Sequence, residues 1–270
     1  MNNGSAFRLY HLYNADRGES MKRVNVLIAI LLTTLVAASD VALQTTGPRP
    51  ADERIKLESD GWEIIGELRI PKSDSPVPAV VLLHQANGTR DVYIEMAALL
   101  SERGIASFRV DLRAHGESTN KGKFGPPFDE KMRELLVGSE NDVTVIHNFL
   151  REHPKIDGER IGFVGASYTG ERIARSGRMT RYGKAYVQLS PGDFSDESID
   201  AVDKSGVPWF FIRSIDERDF FNELYDAIRE KSRTATVLEL PGKHHATRIL
   251  ENHPEMAEMI AIWFKQMLSR

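Results

Sequence analysis

The chain has 270 residues, of which 41% are hydrophobic and 27% charged, with a formal net charge of −4. This composition is typical of a globular protein with one sizeable core, and it excludes an intrinsically disordered chain. Lys and Arg do not gather into a basic patch, so the sequence does not indicate nucleic-acid binding. Because cysteine is absent, disulfides, thiolate metal sites and a cysteine nucleophile are all excluded.

The beginning of the chain carries a targeting pattern. A basic start at residues 21–23 precedes an apolar run over 24–36 and small residues at 37–39. This pattern predicts a secretory signal peptide that starts near Met21 and is cleaved after Ser39, and hence a secreted or periplasmic protein. The apolar run is shorter than the roughly 20 residues of a spanning helix, so stable membrane insertion is not expected. An uncleaved N-terminal anchor is the alternative.

Three regions follow from the composition along the chain. Residues 1–39 are predicted as an N-terminal extension and signal peptide, residues 40–59 as a polar linker or arm, and residues 60–270 as one domain. In that domain, apolar runs alternate with segments of helical period. The predicted strands are Glu63–Ile70, Ala79–Leu83, Ala106–Val110, Arg160–Val164, Ala185–Leu189, Trp209–Ile212 and Thr236–Leu240. The predicted helices are Tyr93–Arg103, Glu140–Arg151, Tyr168–Ser176, Phe221–Lys231 and Pro254–Leu268.

This alternation is typical of an α/β protein whose mostly parallel sheet has helices on both faces. Val80 to Leu83 and Phe210 to Ile212 are continuous apolar runs, as expected for strands that are covered on both sides. The longest irregular stretches, 113–135 and 191–206, are too short for a separate cap domain. In such a sheet, ligands bind beyond the carboxyl ends of the strands, so the residues after each strand are the candidates for chemistry.

The clearest of these segments is Gly165-Ala166-Ser167-Tyr168-Thr169-Gly170, which follows an apolar strand and precedes a helical run. A serine on such a tight strand-to-helix turn is exposed at a helix N-terminus, which is the arrangement of a nucleophile elbow. The motif departs from its usual form at Thr169, where glycine is expected. We expect this threonine to crowd the packing of strand against helix, with Gly170 relieving it.

A serine nucleophile needs a base, and the expected chain order is serine, acid, histidine. Only His244 and His245 follow the last predicted strand, so we predict His245 as the base and keep His244 in reserve. The acid should follow the strand that ends at Ile212. Asp216 and Glu217 remain alternatives there, whereas Asp219 is predicted to start the next helix.

The loop after Leu83 is the expected source of the second donor of an oxyanion hole. The backbone N–H groups of Gln85 and Tyr168 are the predicted pair. His84 is predicted to brace this loop and not to take part in catalysis. In the segment after the next strand, Asp111 and Arg113 are expected to pair with each other.

No cofactor is predicted. The sequence contains neither a G-x-G-x-x-G pattern nor a P-loop, so nucleotide cofactors have no support. A metal site has little support as well, because adjacent histidines do not readily face one ion and no H-E-x-x-H motif is present.

These segments together resemble α/β-hydrolase-fold proteins of the dienelactone-hydrolase-like and serine-esterase-like kind. The resemblance covers residues 60–268 and rests on the order and spacing of five segments, which begin at Leu82, Asp111, Gly165, Leu189 and Pro241. It implies an eight-stranded, mostly parallel sheet without a large cap domain, and a triad of Ser167, His245 and an acid. Dienelactone hydrolases proper use a cysteine nucleophile, and the sequence departs from them there. It also has Ala246 where glycine often follows the histidine.

The sequence therefore predicts an exported serine hydrolase that cleaves a small-molecule carboxylic ester through an acyl-enzyme. Two alternatives remain open: a non-catalytic binding protein that keeps the fold, and an acyltransferase that uses the same triad. The sequence predicts a monomer or a homodimer without distinguishing them.

Overall fold

The computed structural model describes residues 52–192, 194–217 and 222–269. The predicted signal peptide and most of the predicted linker lie outside these ranges, as does Asp219. The strands are β1 Glu53–Ser59, β2 Trp62–Arg69, β3 Val77–Leu83, β4 Ala106–Asp111, β5 Ile156–Ala166, β6 Ala185–Leu189, β7 Trp209–Ser214 and β8 Ala235–Leu240. The helices are α1 Ile94–Glu102, α2 Glu130–Glu152, α3 Tyr168–Met179, α4 Asp196–Lys204, α5 Asn222–Lys231, α6 Arg248–Asn252 and α7 Glu255–Met267, and a short 3-10 helix, Arg90–Tyr93, precedes α1.

All eight strands form one sheet in the order β1-β2-β4-β3-β5-β6-β7-β8. β2 runs antiparallel to both β1 and β4, and every pairing from β4 through β8 is parallel. Among the helices, α1 packs against α7 and α2 packs against α3. The predicted eight-stranded, mostly parallel sheet with flanking helices is confirmed. No helix in the described part of the chain is both long enough and apolar enough to cross a membrane.

The central strands are apolar because the sheet is covered on both sides. Every residue of β3, β4, β6 and β7 is buried. Seven strands were predicted from their apolar runs, and each has a counterpart in the structure within a few residues at either end. Continuous burial, and not alternation, is the signal that identifies such strands.

The eighth strand, β1, lies in the segment that the sequence analysis assigned to a linker. β1 pairs with β2 along its whole length, from Glu53 opposite Leu68 to Ser59 opposite Trp62. The two residues between the strands, Asp60 and Gly61, have φ angles of 51° and 74°. An Asp-Gly pair with positive φ at both positions is a strong hairpin signal, so the strand was readable from the turn although its own sequence is highly charged.

Two stretches predicted to be irregular contain helix. α2 begins at Glu130, ten residues before its predicted start, and α4 lies within 191–206. Both helices have side-chain caps, since Asp129 accepts a hydrogen bond from the Met132 amide and Ser195 accepts one from the Ser198 amide. The many charged residues in their first turns obscured the helical period, whereas the capping residues were visible.

The expected pairing of Asp111 with Arg113 is wrong. The buried Asp111 carboxylate accepts hydrogen bonds from the Arg90 amide, at 2.7 Å, and from the Arg90 guanidinium. Arg113 instead forms an ion pair with Asp142 of α2, at 2.6 Å. β4 ends at Asp111 and the chain then turns, so the two side chains find partners in different segments.

The aromatic packing of β7 gives a test of the core. Phe211 is fully buried, with the rings of Phe194 and Tyr225 within 6.5 Å of its own. We expect Phe211→Ala to lower the free energy of unfolding by about 3–5 kcal/mol, because it leaves a cavity in a close-packed region. The control is Phe128→Ala, the same change at a ring that is 65% exposed, which should cost less than about 1 kcal/mol. Urea unfolding measures both, and equal losses would contradict the assignment of the core.

Candidate active site

Ser167 stands between the end of β5 and the start of α3. Its φ and ψ angles are 57° and −123°, a region that residues other than glycine rarely occupy. The backbone holds this conformation: the Ser167 amide donates to the Leu189 carbonyl, and the Ser167 carbonyl accepts from the Gly170 amide, each at 3.0 Å. This is the strained strand-to-helix turn of a nucleophile elbow. The Ser167 side chain itself stays half-buried at the surface.

Two glycines allow the elbow to close. A Cβ atom at Gly165 would lie 3.0 Å from the Gly170 Cα atom and 2.9 Å from Ile173 Cδ1. A Cβ atom at Gly170 would lie 2.5 Å from the side-chain oxygen of Gln188. The close approach of strand to helix therefore occurs between positions 165 and 170.

Thr169 does not crowd this packing as expected. Its side chain is fully buried, and its Oγ1 accepts a hydrogen bond from the Ala166 amide at 2.6 Å and donates to the Ala166 carbonyl at 2.9 Å. The hydroxyl thus satisfies backbone groups at the end of β5 that glycine would leave to other partners. At this position threonine ties the helix to the strand.

The structure brings Ser167, His245 and Glu217 into one hydrogen-bonded chain. His245 Nε2 lies 2.9 Å from Ser167 Oγ, and His245 Nδ1 is hydrogen-bonded to the Glu217 carboxylate. With Nδ1 donating to the carboxylate, Nε2 carries no proton and can take the one on Ser167 Oγ. The Glu217 side chain is 3% exposed, whereas that of His245 is 38% exposed, so the chain runs from a buried acid to a site open to solvent.

Asp216 and His244, the alternative acid and base, do not take part in this series of hydrogen bonds. Asp216 is exposed; its backbone amide donates to the Gly242 carbonyl at 3.0 Å, and its carboxylate contacts no polar partner in the part of the chain that the structure describes. His244 is bound through its backbone: its amide donates to Ser214 Oγ at 3.0 Å, and its carbonyl accepts from the same hydroxyl at 2.9 Å. Ser214, for which the sequence analysis predicted no such contact, thereby ties the loop after β7 to the loop after β8.

The two amides predicted for an oxyanion hole are both available. Tyr168 is the first residue of α3, so its N–H has no acceptor within the helix. Gln85 lies in the loop after β3, and its N–H donates to no other residue of the described ranges. The Gln85 carbonyl is occupied instead, since it accepts from the Gly88 amide at 2.9 Å and from His84 Nδ1 at 2.7 Å.

His84 braces this loop, in the way the sequence analysis expected. Its Nδ1 donates to the Gln85 carbonyl and its Nε2 accepts from the Leu112 amide at 3.2 Å, which requires a neutral ring. Complete burial lowers the pKa of His84 to about 3, and the nearby His115 adds to this effect, so the ring stays neutral at ordinary pH. Burial also lowers the pKa of His115, whose ring stacks on Phe124 with centroids 4.9 Å apart.

The described residues contain no group of three or more His, Asp, Glu or Cys side chains that could hold a metal ion. The Ser167–His245–Glu217 triplet and the two amides follow the carboxyl ends of β3, β5, β7 and β8. They offer a hydroxyl beside a base, an acid behind that base, and backbone donors for a developing negative charge. This set is the one that acyl transfer through a serine requires.

The hydrogen bonds of Thr169 can be tested separately from any activity. Thr169→Val keeps the shape and removes the hydroxyl, which leaves the buried Ala166 amide without that acceptor. We expect the free energy of unfolding to fall by about 1–3 kcal/mol, measured by urea unfolding. Thr169→Ser, which retains the hydroxyl, is the control, and a larger loss for serine than for valine would contradict the role of the hydrogen bonds.

The chain matches no family model. It is 32% identical over 115 residues to the thiohydrolase aneE of Aspergillus aculeatus, which covers 42% of this chain and 33% of that protein. It is 26% identical over 162 residues to the putative esterase YitV of Bacillus subtilis, which covers 57% of this chain and 62% of that protein. The matched part of the chain thus spans about a third of the length of aneE and about three fifths of the length of YitV. A crystal structure of dienelactone hydrolase from Anabaena variabilis superimposes with a TM-score of 0.65 at 17% identity, over 82% of this chain and 100% of that one.

The sheet order, the elbow and these neighbours together show that the chain has the α/β-hydrolase fold, in the form seen in dienelactone-hydrolase-like proteins and esterases.

Proposed function

We propose that this protein is a serine hydrolase that cleaves carboxylic esters through an acyl-enzyme. Ser167 is the nucleophile, His245 the general base and Glu217 the acid that orients it. The observation that carries the proposal is the continuous hydrogen-bonded chain from Ser167 Oγ through the His245 imidazole to the Glu217 carboxylate. The order of the three residues along the chain is serine, acid, histidine, as is usual on this fold.

Acylation begins when Ser167 Oγ attacks the ester carbonyl carbon and its proton passes to His245 Nε2. The Oγ–C bond forms while the carbonyl π electrons move onto oxygen, which gives a tetrahedral oxyanion. The backbone N–H groups of Gln85 and Tyr168 donate to that oxyanion, and the Tyr168 amide adds the positive end of the α3 dipole. Glu217 stabilises the imidazolium that His245 becomes.

The intermediate then collapses and the bond between the carbon and the alcohol oxygen breaks. His245 gives its proton to the leaving alcohol, and the acyl group remains on Ser167. A water molecule repeats the attack, with His245 taking its proton and returning it to Ser167 Oγ as the acid product leaves. The relatives named as a thiohydrolase and a putative esterase support a substrate in which an acyl group is bound to oxygen or sulfur, because both chemistries use the same steps.

Two features had favoured a non-catalytic protein, namely Thr169 in a glycine position and the divided choice of acid. Thr169 bonds to the end of β5 and does not displace the elbow, and Glu217 is the carboxylate that contacts His245. Both findings favour the hydrolase. Transfer of the acyl group to an alcohol instead of water is the remaining variant of the mechanism. We also propose export to the periplasm or the exterior, on the pattern of residues 21–39.

A fluorophosphonate probe tests the nucleophile directly. We expect the wild-type protein to be labelled at one site and to hydrolyse 4-nitrophenyl acetate. Ser167→Ala should abolish labelling and lower kcat by about a millionfold, since it removes the attacking atom. Far-UV circular dichroism of the variant is the control for folding. Absence of labelling in well-folded wild-type protein would rule out the proposed function.

A matched pair of variants tests the acid. Glu217→Gln keeps the shape but removes the charge that stabilises the imidazolium, so kcat for 4-nitrophenyl acetate should fall by about 10³–10⁴-fold. Asp216→Asn is the same change at the exposed neighbour, and we expect kcat within about twofold of the wild-type value, because this carboxylate lies outside the hydrogen-bonded chain. A reversed order of the two effects would move the acid to Asp216.

A further inference from the structure

We propose that a side-chain contact between Gln85 and Thr247 positions the oxyanion amide and the catalytic base relative to each other. Gln85 Oε1 accepts two hydrogen bonds from Thr247, one from its backbone amide and one from its hydroxyl, both at 2.8 Å. Gln85 and Thr247 are thus positioning residues through their side chains, separately from the backbone amide of Gln85. The inference rests on the proposed function, since it concerns the same site.

The contact joins two loops that the sequence separates by 162 residues. Gln85 follows β3 and carries the proposed oxyanion donor, whereas Thr247 follows β8 and stands two residues after the proposed base His245. No other hydrogen bond that the structure describes joins the loop at 84–88 to the loop at 241–247. Thr247 is 3% exposed, so water competes little for its donors.

The contact restrains the side chain of Gln85, whose backbone is restrained by other hydrogen bonds. Its backbone carbonyl already accepts from the Gly88 amide and from His84 Nδ1. With the side-chain oxygen held by Thr247 as well, the residue has little freedom to rotate, and its N–H keeps one direction. A donor that is oriented before the reaction needs no reorganisation when the oxyanion forms.

On the base side, the contact restrains a strained turn. Ala246, between His245 and Thr247, is fully buried and has a φ angle of 55°, in the left-handed region. Such a conformation persists only where its surroundings over-determine it. Beyond Ala246, the two donors of Thr247 are bound to Gln85, and the Ala246 carbonyl accepts from the Ile249 amide at 3.0 Å. Release of Thr247 would therefore loosen the position of the His245 ring.

The consequence is a specific kinetic signature. Interactions that orient groups for the transition state affect kcat, whereas contacts made equally with the bound substrate affect KM. Thr247→Val removes the hydroxyl bond, keeps the shape and leaves the amide bond. We expect kcat for 4-nitrophenyl acetate to fall about tenfold with KM within about twofold of wild type. Thr247→Ser, which keeps the hydroxyl, should restore kcat to within about twofold.

The experiment uses the full chain, with kcat expressed per site titrated by the fluorophosphonate probe, so that a misfolded fraction does not count. Gln85→Met removes the acceptor from the other side and should lower kcat to a similar extent. The double variant should fall no further than the lower of the two single variants, because both remove the same interaction. The control is Thr144→Val, the same change at a partly buried threonine of α2 whose hydroxyl bonds to the Glu140 carbonyl. It should leave kcat unchanged.

Hydrogen exchange of the peptide that spans Leu83–Gly88 gives a second readout that needs no turnover. It should exchange faster in Thr247→Val than in wild type or Thr144→Val. Wild-type kcat per titrated site in Thr247→Val would overturn the proposal, as would additive losses in the double variant or unchanged exchange. If the wild type is neither labelled nor active while exchange responds to Thr247→Val alone, the proposed function fails and the contact between the loops stands.

Discussion

The site depends on the position of one imidazole, that of His245, between a hydroxyl and a carboxylate from distant parts of the chain. Ser167, Glu217 and His245 each follow a different strand, and the parallel sheet brings the ends of those strands to one edge. The strand register aligns the ends of these strands with one another. Ala166 lies opposite Leu189, Leu189 opposite Ile212, and Ser214 opposite Leu240. β6, β7 and the last six residues of β5 are buried, and each of these strands is hydrogen-bonded to its neighbours, so a shift of any of the three would disturb the core as well as the site.

Sheet register alone does not fix the loops, and side chains supply the missing restraints. The Ser214 hydroxyl ties the end of β7 to the backbone of His244, and Thr169 ties the elbow to the end of β5. Arg90 binds Asp111 and thereby anchors the segment just beyond the loop at 84–88 to the end of β4. These are buried polar groups, which stabilise a unique arrangement only when all their partners are present. The loops around the site are therefore held by several buried hydrogen bonds in addition to the sheet.

Local patterns in the sequence predicted most of the fold, and long-range contacts explain what they missed. Apolar runs located seven strands, and a six-residue motif located Ser167, because both signals are contained in contiguous residues. The strand β1 was missed because its charged residues resemble a linker, although Asp60 and Gly61 marked its turn. The ties through Ser214 and Thr247 had no local signal at all, since a lone hydroxyl gains its role only from a partner elsewhere in the chain.

The sequence left Asp216 and Glu217 as alternative acids for the same reason, because local patterns do not show long-range contacts. Both are carboxylates on the turn after β7, and composition does not separate them. The backbone does: the Asp216 amide is bound to the Gly242 carbonyl, and the Glu217 amide to the Ser214 carbonyl at 3.2 Å. These bonds set the turn so that position 216 is exposed and position 217 is buried beside His245. The burial of position 217 beside His245 therefore follows in part from how the loop after β7 is hydrogen-bonded to the loop after β8, a contact between residues far apart in the sequence.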